Sequence, residues 1–296
     1  MKIGIDLGGT KTEIAAFDDA GAERLRRREP TPAGDYAATL ALIASLVADA
    51  ERQLGAWATV GIATPGALSP STGLMRNSNS TCLNQRPVKI DLQRMLGRDV
   101  RLANDANCFA LSEARDGAAA GAATVFGVII GTGLGGGIVI NGRVVDGPNA
   151  IAGEWGHNPL PWPEDIERPG AQCYCGKRGC IETFLSGPGL ARDYALYGGA
   201  RIFPEEIVSR STRGGLAVHA LERYEGRLAR ALASVINVLD PEVIVLGGGL
   251  SNVERLYKNI PALWGKWVFS DTVRTRLVRN AHGDSSGVRG AAWLWS

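Results

Sequence analysis

Ile3-Gly4-Ile5-Asp6-Leu7-Gly8-Gly9-Thr10-Lys11-Thr12 opens the chain as an alternating apolar strand that runs into paired glycines and turns back on itself. The return strand continues to residue 17, turns at Asp18-Asp19-Ala20-Gly21 and resumes over 22–28, so the start reads as a three-stranded meander. The pattern recurs. An apolar run over 125–130 reaches Gly131-Thr132-Gly133-Leu134-Gly135-Gly136-Gly137, returns over 138–140 and turns at Asn141-Gly142, a strong hairpin signal. After the first meander, Tyr36, Leu40, Ile43, Val47 and Ala50 mark one helix face, followed by strands over 59–63 and 100–103. In the second half Tyr224, Leu228, Leu232, Val235, Ile236 and Leu239 mark a helix that stops at Asp240-Pro241 and feeds a strand over 243–246. The reading is an α/β chain of two similar lobes around a cleft. The expected boundaries are 1–116 for the first lobe and 117–283 for the second.

A length of 296 residues suits two packed lobes. Thirty-two Lys and Arg balance thirty Asp and Glu without a long basic run, which argues against a nucleic-acid or membrane partner and for a small molecule. No stretch reaches eighteen uninterrupted apolar residues, and Asp6 interrupts the first apolar run, so neither a signal peptide nor a membrane span is expected. Five cysteines, three of them within eight residues, suit a metal in a reducing compartment better than a disulfide framework. The expected location is the cytoplasm.

The glycines of the first turn let backbone N–H groups approach a phosphate that a Cβ would push away, and Asp6 is placed to hold Mg²⁺. This is not a P-loop, because no Gly-Lys-Ser/Thr closes it, nor a dinucleotide turn, because a strand rather than a helix follows. One such turn is equally an ordinary hairpin. Two in matching positions of a repeat would grip one polyphosphate from both sides. The candidate nucleotide contacts are Gly4, Ile5, Asp6, Leu7, Gly8, Gly9, Thr10 and Lys11 in the first lobe, with Thr132, Gly133, Gly247, Gly248 and Gly249 in the second.

Cys173-Tyr174-Cys175-Gly176-Lys177-Arg178-Gly179-Cys180 packs three thiols into a knuckle, and His157 lies sixteen positions before the first. A tetrahedral Zn²⁺ site of three Cys and one His fits, closed and therefore structural. A redox pair is the competing reading, but Cys-x-Cys is not the Cys-x-x-Cys of that chemistry. Cys82 and Cys108 stand apart as bystanders.

The strand over 101–103 ends in Asn104-Asp105-Ala106-Asn107, an amide and a carboxylate at a strand's carboxyl end, where α/β folds place ligands. Asp105 is the candidate general base for a sugar hydroxyl attacking a phosphoryl group. Asn104 and Asp105 read equally as helix caps for 106–114. Glu154 and Glu182 flank the candidate zinc ligands and are placed to accept from sugar hydroxyls, or are surface carboxylates. His157 could use one ring nitrogen for zinc and the other for a sugar oxygen or a carboxylate.

Read in order, the turn at Asp6 to Lys11, Asn104-Asp105, Gly153-Glu154-Trp155-Gly156-His157, the cysteine knuckle with Glu182, and Leu246-Gly247-Gly248-Gly249 resemble the ROK family (repressors, open reading frames, kinases) nearly end to end. The resemblance implies the duplicated actin-like ATPase fold, which is ribonuclease H-like, and ATP with Mg²⁺. It implies zinc at His157, Cys173, Cys175 and Cys180, and Asp105 as base. Gly66, Asn79, Asn104, Asp105, Glu154, His157 and Glu182 would contact the sugar. A C-terminal helix of about 284–296, with Trp293 to Trp295, would return to the first lobe. The segments 77–84 and 282–290 look most like the fructokinase branch, so fructose is the expected hexose and mannose a second. N-acetylglucosamine or glucose is the alternative, and a sugar-sensing protein without turnover the alternative of another class. A repressor is disfavoured, since nothing before Ile3 could form a DNA-reading helix. A homodimer is the family's habit, with Trp264, Trp267 and Phe269 suited to an interface or to the core.

Overall fold

The computed structural model describes residues 1–295, and Ser296, at the end of the expected C-terminal helix, lies outside the described residues. In chain order the elements begin with β1 (Lys2–Leu7), β2 (Lys11–Phe17), β3 (Glu23–Pro30), α1 (Tyr36–Leu54), β4 (Thr59–Thr64), β5 (Ala67–Leu68), β6 (Met75–Arg76), α2 (Val88–Leu96), β7 (Val100–Asn104) and α3 (Asp105–Asp116). They continue with β8 (Thr124–Ile130), β9 (Leu134–Ile140), β10 (Arg143–Val144), α4 (Ile181–Leu185), α5 (Gly187–Leu196), α6 (Pro204–Ser211), α7 (Leu216–Leu239), β11 (Val243–Gly247), α8 (Arg255–Trp264), β12 (Arg276–Arg279) and α9 (Ser286–Trp293).

The repeat seen in the sequence is a repeat in topology. One sheet runs β3-β2-β1-β4-β7 and the other β10-β9-β8-β11-β12, the same order twice. In each, an antiparallel meander carries two parallel strands on its inner edge. This is the actin-like, ribonuclease H-like fold in two copies. Parallel strands need helical crossovers, which is why α/β elements follow each meander.

The helices do not stay with their own half of the chain. α3, from the first half, lies on the second sheet, where a Cβ built on Gly137 would come 2.3 Å from the Ala106 carbonyl oxygen. α9, from the end of the chain, lies on the first sheet, with Gly4 and Gly61 under its backbone. The two helices cross where a Cβ on Gly290 would sit 1.7 Å from the Cys108 carbonyl oxygen. Trp293 packs its ring 5.6 Å from that of Phe17, and Trp295 Nε1 donates to the Val60 carbonyl at 2.7 Å.

Two expectations change. The glycine run 131–137 is not one long turn: the turn is 131–133, and Gly135 to Gly137 already belong to β9, small because α3 and Trp155 press on that strand. Gly4 and Ile5 are buried inside β1 instead of facing a nucleotide. Gly4 is glycine because α9 lies on it, a Cβ there meeting the Val288 carbonyl oxygen at 1.9 Å. Of the three apolar residues weighed for an interface, Trp264 is core, Trp267 stacks on Trp162 at 5.3 Å, and Phe269 is fully exposed.

Candidate functional site

The first glycine turn is tied down by its own backbone and by β3's exit. Gly8 N–H donates to the Lys11 carbonyl at 3.0 Å, and Thr31 donates through its hydroxyl to the Gly8 carbonyl at 2.8 Å and through N–H to the Thr10 carbonyl at 3.0 Å. Thr31 was not singled out from sequence, since a lone threonine after a strand carries no signal. Gly9, Thr10 and Lys11 are exposed. Leu7 is buried in the core behind them. In the second turn Gly131 N–H donates to the Gly133 carbonyl at 3.0 Å, and Gly187 N–H, at the start of α5, donates to the Gly131 carbonyl at 2.8 Å. Thr132 stands exposed at its tip.

A cavity of about 1090 Å³ opens beside that second turn, lined by Gly131, Thr132, Gly187, Pro188, Gly249 and Leu250 among others. Gly249 reaches it; Gly247 does not. Gly247 is buried at the end of β11, where a Cβ would come 2.5 Å from the Phe109 ring, and Gly248 takes φ 80° to turn the chain over the Ile130 carbonyl.

Asp6, next to last in β1, pairs with Glu13 of β2. Burial, then the charges of Asp105 and Glu13, push its carboxyl up to about 7, so Asp6 sits in a crowd of negative charge that a cation would relieve. The start of α9 crowds it further: a Cβ on Gly287 would lie 2.7 Å from Asp6 Oδ2.

Asp105 is the first residue of α3 and Asn104 its cap, both accepting from Ala106 N–H, at 2.8 and 2.9 Å. The helix-cap reading and the site reading therefore hold together, because the cap fixes the carboxylate at the strand's end. Desolvation by the surrounding protein, with the Glu154 charge adding to it, raises the Asp105 carboxyl above the ordinary range despite the Ala106 hydrogen bond.

Asn104 and Glu154 line a pocket of about 200 Å³. Asn104 Nδ2 donates to the Gly66 carbonyl at 3.3 Å, but Gly66, which holds φ 80°, does not itself line the pocket. The pocket has an apolar wall of Ala67, Leu68, Ile151 and Ala152, and it adds two polar residues that the sequence reading missed. Asn107 Nδ2 donates to Asp146 Oδ1 at 3.1 Å, and burial raises the Asp146 carboxyl. Asp146 follows a strand of two residues, so no periodicity marks it. Asn79 is not in this pocket: the hydrogen bonds between Ser78 and Asn84 fold the 78–84 loop toward the first turn, and Asn79 lines a recess of about 240 Å³ with Gly9, Thr31 and Ser80.

The donor atoms of His157, Cys173, Cys175 and Cys180 all lie within 4.8 Å of one another. His157 Nδ1 is 3.6 Å from Cys173 Sγ, and Cys175 Sγ is 3.6 Å from Cys180 Sγ. A zinc–sulfur bond of about 2.3 Å gives a tetrahedral edge of roughly 3.8 Å, so the set fits zinc. Burial raises the Cys173 and Cys180 thiols while the Lys177 N–H lowers the exposed Cys175. The second ring nitrogen of His157, expected to be free for a sugar or a carboxylate, instead lies 2.9 Å from the Tyr174 hydroxyl. The charges of Glu182 and Glu154 both reach Tyr174. Glu182, just after the knuckle, accepts from Leu134 N–H at 2.9 Å.

Among the described residues no helix is long and apolar enough to cross a membrane.

The ROK family model matches residues 2–296. The chain is 42% identical to an N-acetyl-D-glucosamine kinase of Pectobacterium atrosepticum, over 99% of this chain and 98% of that protein. It is 41% identical to an N-acetyl-D-glucosamine kinase of Vibrio cholerae, over 99% of each. Among solved structures, a ROK hexokinase from Thermus thermophilus superposes with a TM-score of 0.87 at 32% identity, covering 99% of this chain and 97% of that one.

Proposed function

The chain belongs to the ROK family and is a sugar kinase, and from that premise we propose that it phosphorylates N-acetyl-D-glucosamine with MgATP. Fructose was the expectation from residues 77–84 and 282–290. The two relatives named above, N-acetyl-D-glucosamine kinases, match this chain across nearly their whole length, and that observation carries the change. The pocket beside Asn104 and Glu154 supports it chemically. An acetamido group has an apolar methyl for the wall of Ala67, Leu68, Ile151 and Ala152, and an amide for the polar pair Asn107 and Asp146. Glucose and fructose would leave that wall unfilled.

In the mechanism proposed, Asp105 accepts the proton of the attacking sugar hydroxyl. Burial raises its carboxyl, so the ionised form is a stronger proton acceptor than an ordinary carboxylate. The backbone N–H groups of Gly9, Thr132 and Gly133 and the hydroxyls of Thr10 and Thr132 face the phosphates, while the Gly8 N–H is spent on the Lys11 carbonyl. Asp6 would hold Mg²⁺, directly or through water, and the cavity beside Gly249 would take the nucleoside. The ion so held would supply the charge that neutralises the transferring phosphoryl group. Asn104, Glu154 and Glu182 orient the sugar. His157, Cys173, Cys175 and Cys180 would hold a structural zinc ion that ties the knuckle to Glu182.

Initial rates with MgATP on N-acetylglucosamine, glucose, mannose and fructose test the reading. The expected result is the highest kcat/KM on N-acetylglucosamine, and a kcat loss of about 10³-fold in Asp105→Asn with its fold intact. A preference for fructose, or an unimpaired Asp105→Asn, overturns the substrate or the base respectively. No turnover on any sugar would favour a sensing protein.

A further inference from the structure

Glu113 is fully buried in α3, two turns beyond Asp105, and among the described residues it forms no ion pair. Its carboxylate is instead held by four donors. Oε2 accepts from Ala118 N–H and from Ala281 N–H, both at 2.9 Å. Oε1 accepts from the Ser286 hydroxyl at 2.9 Å and from His282 N–H at 3.3 Å. A carboxylate has about four acceptor sites, and all of them are used. Three of the four donors belong to the segment that leads into α9, whose positive end also favours a negative charge there. One turn along, Asp116 takes Arg289 on both oxygens, at 3.0 and 2.9 Å, and His282 at 3.1 Å.

The consequence lies at the start of each helix, which for α9 is the end that Glu113 itself holds through Ser286. α3 starts with Asp105, and α9 starts with Ser286 and Gly287, the latter against Asp6. We propose that Glu113 is a positioning residue: by fixing residues 281–286 to the helix that carries Asp105, it sets Asp6 and Asp105 at the spacing that phosphoryl transfer needs. The helices also cross closely at Gly290 and Cys108 and are joined by Asp116 and Arg289, but neither contact holds the first residues of α9 beside Asp6, and these are left free to shift. Glu113 removes that freedom on the side nearest Asp6. A side chain that only stabilised the packing of α3 and α9 would affect the folded fraction and not the chemistry of the folded enzyme.

The inference rests on Asp6 and Asp105 as the acting carboxylates, so Asp105→Asn is assayed alongside. Glu113→Gln keeps the shape but turns one acceptor into a donor facing donors. Its expected kcat is about tenfold below wild type, with KM for sugar and ATP within about twofold, and its half-saturating Mg²⁺ concentration is raised. Leu232→Ala, in the core of the second lobe, serves as the control for lost stability and should keep wild-type kcat below its own melting range. If Glu113→Gln does not fold, Ser286→Ala, which removes one donor, should show the same pattern at about threefold. The proposal is overturned if folded Glu113→Gln keeps wild-type kcat and Mg²⁺ dependence, or if Leu232→Ala loses kcat equally. If Asp105→Asn is fully active, the reading of the two carboxylates fails first.

Discussion

Glu182 Oε2 accepts a hydrogen bond from the backbone N–H of Leu134 at 2.9 Å, joining the helix that follows the cysteine knuckle to the second glycine turn. A Cβ on Gly133 would lie 2.9 Å from the same oxygen, so the turn and the carboxylate are in contact. In the function proposed, sugar orientation and phosphate binding would therefore share an atom. Glu182→Ala should raise KM for both sugar and ATP, each about tenfold, as seen in two-substrate kinetics. A rise confined to the sugar would show that the link to Leu134 carries nothing.

Asp6 has a folded-state carboxyl raised from 3.8 to about 7. Between those values the folded chain holds a proton that the unfolded chain has released, so this group's contribution to stability falls as pH rises through that window. Without Mg²⁺, Asp6→Asn should melt higher than wild type at pH 8, with the gap closing toward pH 5. Adding Mg²⁺ should raise the wild-type Tm at pH 8 and leave that of Asp6→Asn unchanged, while turnover is lost in the variant.

Zinc bound by three thiols and one imidazole leaves no open coordination position, so its removal should act through the knuckle. Cys175→Ser, at the exposed ligand, should lower zinc content from about one equivalent and reduce kcat/KM about tenfold to a hundredfold. Elemental analysis and initial rates check this together. Full activity in zinc-free protein would sink the structural role.

The crossing of α3 and α9 admits no side chain at Gly290, where a Cβ would sit 1.7 Å from the Cys108 carbonyl oxygen. Backbone cannot move aside cheaply. Gly290→Ala should cost about 3 kcal/mol of stability. Gly249→Ala is the contrast: nothing lies within 4 Å of the added methyl, and denaturant unfolding should hardly change.

The Gly-rich hairpins, the repeated meander, Asn104-Asp105 and the cysteine knuckle were all legible in the sequence. Each is local: a turn needs its glycines, a helix start its cap, and a metal its closely spaced ligands. Those signals sufficed for a duplicated α/β fold and for four residues able to hold zinc. They misjudged Gly4 and Gly247, because a glycine that lets a helix lie on a strand looks the same in sequence as one that admits a phosphate. Asp146, Asn107, Thr31 and Tyr174 carried no periodic or spacing signal.

What only the tertiary structure decided is which distant residues meet. The sequence alone determines that α3 begins with a carboxylate and that α9 has small residues at Gly287 and Gly290. That α3 leaves its own half to lie on the second sheet, that α9 returns to cover Asp6, and that Glu113 ties the two together follow from packing. The contacts made by α9 and its lead-in join positions more than 160 residues apart, for example Glu113 and Ala281. Each was decided by burial of whole helix faces between two sheets, a constraint that no local stretch of sequence records.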